Sequence, residues 1–239
     1  MISKLACLFL GTIALHAIGL AGELKAETPD ECVILIHGLG RTSLSMKRLE
    51  WSLASAGYYV TNISYPSREL CVEQLSENYL SSVIAKIPDQ ATKVHFVTHS
   101  MGGIILRQYL SQHSIPNLGS VVMLAPPSQG SELADTFRRY AIGRWILGPA
   151  GCQLGTATTN LPRQLGAVDF DLSVIAGNRS LNPWFSKILP GADDGKVSVE
   201  NAKVDGMKEF LVVQNSHTWM IWRTKTIGYV ANYLQRHRR

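Results

Sequence analysis

Cysteine is scarce in this chain of 239 residues: there are four, Cys7, Cys32, Cys71 and Cys152. Their spacing resembles no metal site, so metal ligation is not expected. Charge is sparse as well. Asp, Glu, Lys and Arg make up 17% of the chain against 46% apolar residues, a balance that excludes an intrinsically disordered protein. The formal charge is +5, but the excess is mild and partly local, with Arg236, Arg238 and Arg239 crowding the last four residues around His237. Lys and Arg are otherwise scattered, without the basic stripe interleaved with aromatics that marks a nucleic-acid surface. Neither a tract of one residue type nor an internal repeat occurs, which excludes low-complexity and repeat architectures. What the chain has is enough length to bury one core.

The one extended apolar run is at the start. Met1 to Lys4 is a short segment with one lysine, and Leu5 to Leu20 is apolar apart from Thr12 and His16. Small residues follow at Ala21, Gly22 and Ala26, each able to end a signal peptide. Residues 1–26 are therefore expected to direct export, to the periplasm or out of the cell, as a cleaved signal peptide or as an uncleaved anchor. Cys32, Cys71 and Cys152 would then stay in the mature chain, enough for one disulfide, and the sequence does not choose the pair. Association with a membrane surface is compatible with the basic tail.

Cys32 to Ile36 is a continuous apolar, β-branched run, as in a strand buried on both faces. From about Ser45, Met46, Leu49 and Leu53 fall on one helical face, and Gly57 follows as a stop. Tyr58 to Ile63 reads as a strand; Leu75, Tyr79, Val83 and Ile87 recur at helical spacing until Pro88. Further strands are expected at Val94–Val97, Val121–Leu124, Leu172–Ala176 and Phe210–Val213. Helices are expected at Met101–Tyr109 and around Ile227, Val230, Ala231 and Leu234. This alternation predicts an α/β fold, a mostly parallel sheet with helices on both faces and ligands bound beyond the carboxyl ends of the strands. Residues 128–166 fit no strand–helix unit and are expected to form either a small cap over the site or an ordinary surface helix and loop.

The residues suited to chemistry all follow predicted strands. Thr98-His99-Ser100-Met101-Gly102-Gly103 joins a strand to a helix, the sharp turn that exposes a serine hydroxyl as a nucleophile. Thr98 stands where G-x-S-x-G turns usually carry their first glycine. His37-Gly38-Leu39-Gly40 follows the first strong strand. Its Leu39 amide, with that of Met101, is positioned in sequence to donate to an oxyanion, while Gly38 and Gly40 let the backbone approach. His37 precedes the serine and is expected to support this loop rather than act as the base. A base must be oriented by an acid, and both should come late in the chain. Asp193 and Asp194 are adjacent candidates for the acid, in a loop without the spaced acids of a calcium site. His217 follows the last predicted strand, and the only later histidine, His237, belongs to the tail.

Together these segments resemble the α/β-hydrolase superfamily, in particular bacterial lipases and lipase-like esterases, from Cys32 to the last helix. Pro127, Gly130, Ser131, Ala134 and Asp135 are similar to the P-x-x-G-S-x-x-A-D segment of bacterial triacylglycerol lipases. Asp194, Gly195 and Val197 resemble the lipase D-G-x-V pattern, which favours Asp194 over Asp193. The resemblance implies an α/β-hydrolase domain over residues 27–239, with Ser100, Asp194 and His217 as a catalytic triad that needs no cofactor. It implies an acyl-enzyme intermediate and a small-molecule or lipid ester as substrate. An acyltransferase or thioesterase using the same residues, and a binding domain without activity, are the alternatives.

Overall fold

The computed structural model describes residues 31–87, 91–115 and 117–236. The expected targeting segment, the helix stop at Pro88 and the tail residues 237–239 lie outside them. Six strands form one sheet: β1 (Glu31–Ile36), β2 (Tyr59–Asn62), β3 (Lys93–His99), β4 (Leu118–Leu124), β5 (Leu172–Gly177) and β6 (Glu209–Val213). Every pairing is parallel, in the order β2-β1-β3-β4-β5-β6. The chain leaves β1 toward one edge and returns on its other side at β3, so the winding direction reverses between these two strands. That reversal opens a crevice at their carboxyl ends.

Alternation along β1 divides the core. Val33 and Leu35 face one side with Val97, Val122 and Ile175. They pack there under α1 (Lys47–Ser55), which follows a 3-10 turn at Ser43–Met46. Ile34 and Ile36 face the other side with Phe96, Met123 and Val174. On that second side lie α2 (Val72–Leu75), a π turn (Ser76–Leu80), α3 (Ser81–Ile84) and α4 (Met101–Gln112). The helix expected around Leu75 to Ile87 is present as one helical run from Val72 to Ile84, with the π turn inside it. Leu75 and Leu80, five residues apart, are both fully buried, and a π turn brings that spacing onto one face where an α-helix would not.

Residues 128–166 fold as α5 (Glu132–Phe137), α6 (Ala141–Cys152) and α7 (Leu161–Gln164). Arg107 of α4 holds both ends of this excursion, donating to the Ser128 carbonyl at 3.3 Å and the Gly166 carbonyl at 2.5 Å. Within it, Asp135 accepts from the Thr156 amide and hydroxyl at 2.9 and 2.7 Å and pairs with Arg138 at 2.8 Å. Gly148, at φ 63°, breaks α6 just before Pro149; a Cβ there would lie 2.1 Å from the Arg68 carbonyl oxygen.

After β5 come the short helices α8 (Pro183–Ser186) and α9 (Val199–Ala202), and after β6 a 3-10 turn at Met220–Trp222 and α10 (Thr224–Arg236). α10 buries Ile227, Val230, Tyr233 and Leu234 against the α1 side of the sheet. Burying each of the aliphatic side chains Ile227, Val230 and Leu234 is worth roughly 1.5–3 kcal/mol, which makes this stripe rather than helix propensity the reason α10 docks. Cys32, Cys71 and Cys152 are free thiols, Cys32 buried within β1.

Candidate active site

Ser100 ends β3 and begins α4 with a backbone at φ 55°, ψ −125°, a conformation that a non-glycine residue adopts only when its surroundings impose it. Three contacts impose it here. The Ser100 amide donates to the Leu124 carbonyl at 2.8 Å, its carbonyl accepts from Gly103 at 3.0 Å, and Gly102 backs directly onto β1. A Cβ on Gly102 would lie 2.5 Å from the Ile36 oxygen and 2.7 Å from that of His37, so only glycine lets α4 start this close to β1. Thr98 is buried, and the position facing its hydroxyl is Gly103, where a Cβ would lie 3.2 Å from Thr98 Oγ1. The room for Thr98 therefore comes from the third residue after the serine.

The 37–40 loop lies against this elbow. His37 is fully buried, stacked on Tyr65 with ring centroids 4.0 Å apart. Its Nδ1 donates to the Gly38 carbonyl at 3.0 Å and its Nε2 accepts from the Tyr65 amide at 3.4 Å, while the Tyr65 hydroxyl donates to the His37 carbonyl. Burial lowers the His37 pKa, in keeping with a neutral ring that supports the loop. Gly38 faces the elbow closely: a Cβ there would lie 3.0 Å from that of Ser100. Gly40, at φ 64°, turns the chain, and its amide is fixed by Ser67 Oγ at 2.9 Å. Leu39 lines the same cavity as Ser100, and Met101 is buried at the first turn of α4.

Asp194 and His217 come together although 23 residues separate them. His217 Nδ1 donates to Asp194 Oδ2 at 2.7 Å, and the His217 amide donates to the Asp194 carbonyl at 2.9 Å. The other carboxylate oxygen, Oδ1, accepts from the Lys196 and Val197 amides, each at 2.9 Å. Asp194 is 2% exposed and His217 3%, and both carboxylate oxygens are committed to donors that fix its aim at the imidazole. Gly177, at the end of β5, makes the approach feasible, since a Cβ there would lie 2.8 Å from that of Asp194. Asp193 points elsewhere, accepting from Ser186 Oγ at 3.0 Å and the Gly195 amide at 2.7 Å as the anchor of its turn. With Nδ1 committed to Asp194, His217 presents Nε2 as the free ring nitrogen. Ser100 and His217 line one cavity; Ser100 Oγ makes no hydrogen bond among the described residues.

Sequence reasoning passed over His99. It is buried beside His217, ring centroids 4.8 Å apart, and its Nε2 donates to the His217 carbonyl at 2.9 Å. Burial first, then the neighbouring His217, lowers its pKa well below the ordinary 6.5, so the ring is neutral. Its only sequence signal is its place immediately before the elbow serine.

The cavity over Ser100 has a volume of about 390 Å³. Residues 128–166 supply much of its wall through Leu133, Phe137, Leu147 and Leu154, and Phe185 of α8 adds to it. An apolar chamber bordered by a strained serine and a buried carboxylate–imidazole pair has the parts needed for acyl transfer.

A sequence profile described as "Alpha/beta hydrolase family" matches residues 33–231. No curated protein sequence matches the chain. Among solved structures, the fold is similar to a lipase of Bacillus licheniformis, BlEst2, in its mature form. The TM-score is 0.67 at 19% identity, over 84% of this chain and 91% of that one. It is likewise similar to the phospholipase PlaB of Legionella pneumophila (TM-score 0.67, 18% identity, 86% of this chain, 59% of that one). A metagenomic carboxyl esterase, MGS0156, also matches (TM-score 0.62, 21% identity, 80% and 65%). The chain spans less than two thirds of the length of the last two. With the profile covering the sheet, the elbow and the late loops alike, the chain belongs to the alpha/beta hydrolase family.

Proposed function

We propose that the protein is a serine hydrolase of carboxylic esters, with Ser100, His217 and Asp194 as its catalytic triad. The observation that carries this reading is the buried Asp194–His217 hydrogen bond of 2.7 Å in the loops beside a serine held at φ 55°. Ser100 Oγ attacks the ester carbonyl carbon while His217 Nε2 takes its proton. Asp194 keeps the proton on Nδ1 and stabilises the imidazolium that forms. The amides of Leu39 and Met101 donate to the oxyanion of the tetrahedral intermediate. His217 then protonates the departing alcohol, leaving an acyl group on Ser100. Water, deprotonated by the same imidazole, releases the acid and restores the serine. The acyl chain lies along Leu133, Phe137, Leu147 and Leu154, which suits an apolar or lipid-like acyl group.

The lipase, phospholipase and esterase names of the structural neighbours support ester chemistry. The test is turnover of a p-nitrophenyl ester: Ser100→Ala is expected to lower kcat by about four orders of magnitude or more with the fold intact. Activity retained in that variant contradicts the reading.

The reading includes work at a membrane surface. Among the described residues no helix is long and apolar enough to cross a membrane. α6, however, exposes Ile142, Trp145 and Ile146, with Tyr140 just before it. From Thr136 to Val168 the chain carries Arg138, Arg139, Arg144 and Arg163 and no acidic residue. Aromatic and aliphatic side chains among cations suit contact with an anionic lipid surface.

A further inference from the structure

We propose that the ester taken by this site carries an anionic group, phosphate or carboxylate, on its alcohol portion, held between Arg41 and Lys196. The inference rests on Ser100 being the nucleophile and adds the class of substrate.

Arg41 and Lys196 both line the cavity that holds Ser100 and His217. Each is placed by the site's own loops. The Arg41 amide closes the turn onto the Gly38 carbonyl at 3.2 Å, and its guanidinium donates to Thr218 Oγ1 at 3.0 Å, one residue beyond His217. The Lys196 amide is bound to Asp194 Oδ1 at 2.9 Å, and its carbonyl accepts from Ser131 Oγ at 2.7 Å. Both cations are therefore fixed at the root by the oxyanion loop and the acid loop. Neither forms an ion pair within 4.0 Å of a carboxylate among the described residues. Asp194, the nearby acid, has both oxygens engaged by His217 and by two amides. The two cations also repel each other: desolvation first and the Arg41 charge second lower the Lys196 pKa, against a smaller opposing effect of Asp194. Two like charges that no carboxylate pairs, beside a nucleophile, form a receptor for an anion.

The surroundings say which part of the ester bears the charge. The apolar wall of Leu133, Phe137, Leu147 and Leu154 belongs to the first cavity alone. Arg41 is shared with an adjoining cavity of about 510 Å³ lined by Leu44, Lys47, Trp51 and Trp222. An acyl chain on the apolar wall leaves the alcohol to extend past Arg41, where a phosphate meets the guanidinium in bidentate fashion.

The test compares soluble short-chain esters with one acyl group: a monoacylglycerol, the corresponding acylglycerol phosphate, and a dicarboxylic half-ester of glycerol with its charge on the acyl side. At low ionic strength, kcat/KM for the acylglycerol phosphate is expected to exceed that for the monoacylglycerol by about tenfold, a preference that shrinks as salt screens the cations. Arg41→Gln and Lys196→Gln are each expected to lower the ratio of the two constants by about fivefold. Fluorophosphonate labelling of Ser100 is followed in parallel. Labelling without a preference for the phosphate ester overturns this inference and leaves the hydrolase reading standing. So does a preference for the half-ester, or a loss in the variants that is equal for both glycerol esters, which would make the cations general oxyanion stabilisers. Absence of both labelling and turnover overturns the two readings together. Because the salt dependence is measured on the unaltered protein, the test holds even if a variant fails to fold.

Discussion

At the scale of the residue, the site turns on how each polar atom is committed. Asp194 and Asp193 are neighbours of the same type, and the backbone separates their roles. Asp194 takes two amides and an imidazole; Asp193 takes a hydroxyl and an amide of its own turn. His99 links the elbow to the loop of His217, and because Nε2 donates to the His217 carbonyl its Nδ1 is left without a proton. Misplacing a reacting group by an ångström costs up to two orders of magnitude in rate. His99→Leu is accordingly expected to lower kcat on a p-nitrophenyl ester by about 10–100-fold with KM within about twofold, and His99→Gln, which keeps an N–H donor, to recover much of the loss. Equal losses in the two variants would show that packing, not the hydrogen bond, is what His99 supplies. The meeting of Asp194 with His217 at the cavity that holds Ser100 was legible because these residue types recur in a recognisable order after strands. Arg41 and Lys196 were not, since a single cation in a loop reads in sequence as a solvated side chain.

At the scale of the element, legibility follows from periodicity and length. The strands were located to within a few residues because apolar, β-branched residues concentrate where both faces are buried, although β3 and β5 each bury a polar residue, His95 and Ser173. Their ends were not, since β3 extends through Thr98 and His99, polar residues buried at the rim of the site. The four-residue helices α8 and α9 are too short to show a period, and the π turn at Ser76–Leu80 reads in sequence as an ordinary α spacing. Residues 128–166 were open between a cap and a surface loop; the side chains they place around the cavity make them a wall of the site. α6 is where this wall meets solvent, with Trp145 71% exposed and the Arg68 guanidinium 6.0 Å from its ring centre. Trp145→Ser is expected to weaken binding to anionic phospholipid vesicles by about fivefold or more in a sedimentation assay while leaving hydrolysis of a soluble ester near its original rate. Unchanged vesicle binding would remove α6 from the membrane surface.

At the scale of the whole molecule, a parallel sheet that reverses its winding between β1 and β3 brings five loops to one edge. The loops after β1 and β3 carry Leu39, Met101 and Ser100, those after β5 and β6 carry Asp194 and His217, and the one after β4 forms the wall. Each strand end is fixed by the core beneath it, so the site inherits its geometry from two apolar layers, one of which reaches the cavity through Leu154 and Val197. We propose that this edge activates one serine. Intact-mass analysis after treatment with a fluorophosphonate, followed by peptide mapping, tests that most directly. A single adduct on Ser100, lost in His217→Ala, is the predicted result; an unmodified protein, or an adduct on any other residue, would contradict it.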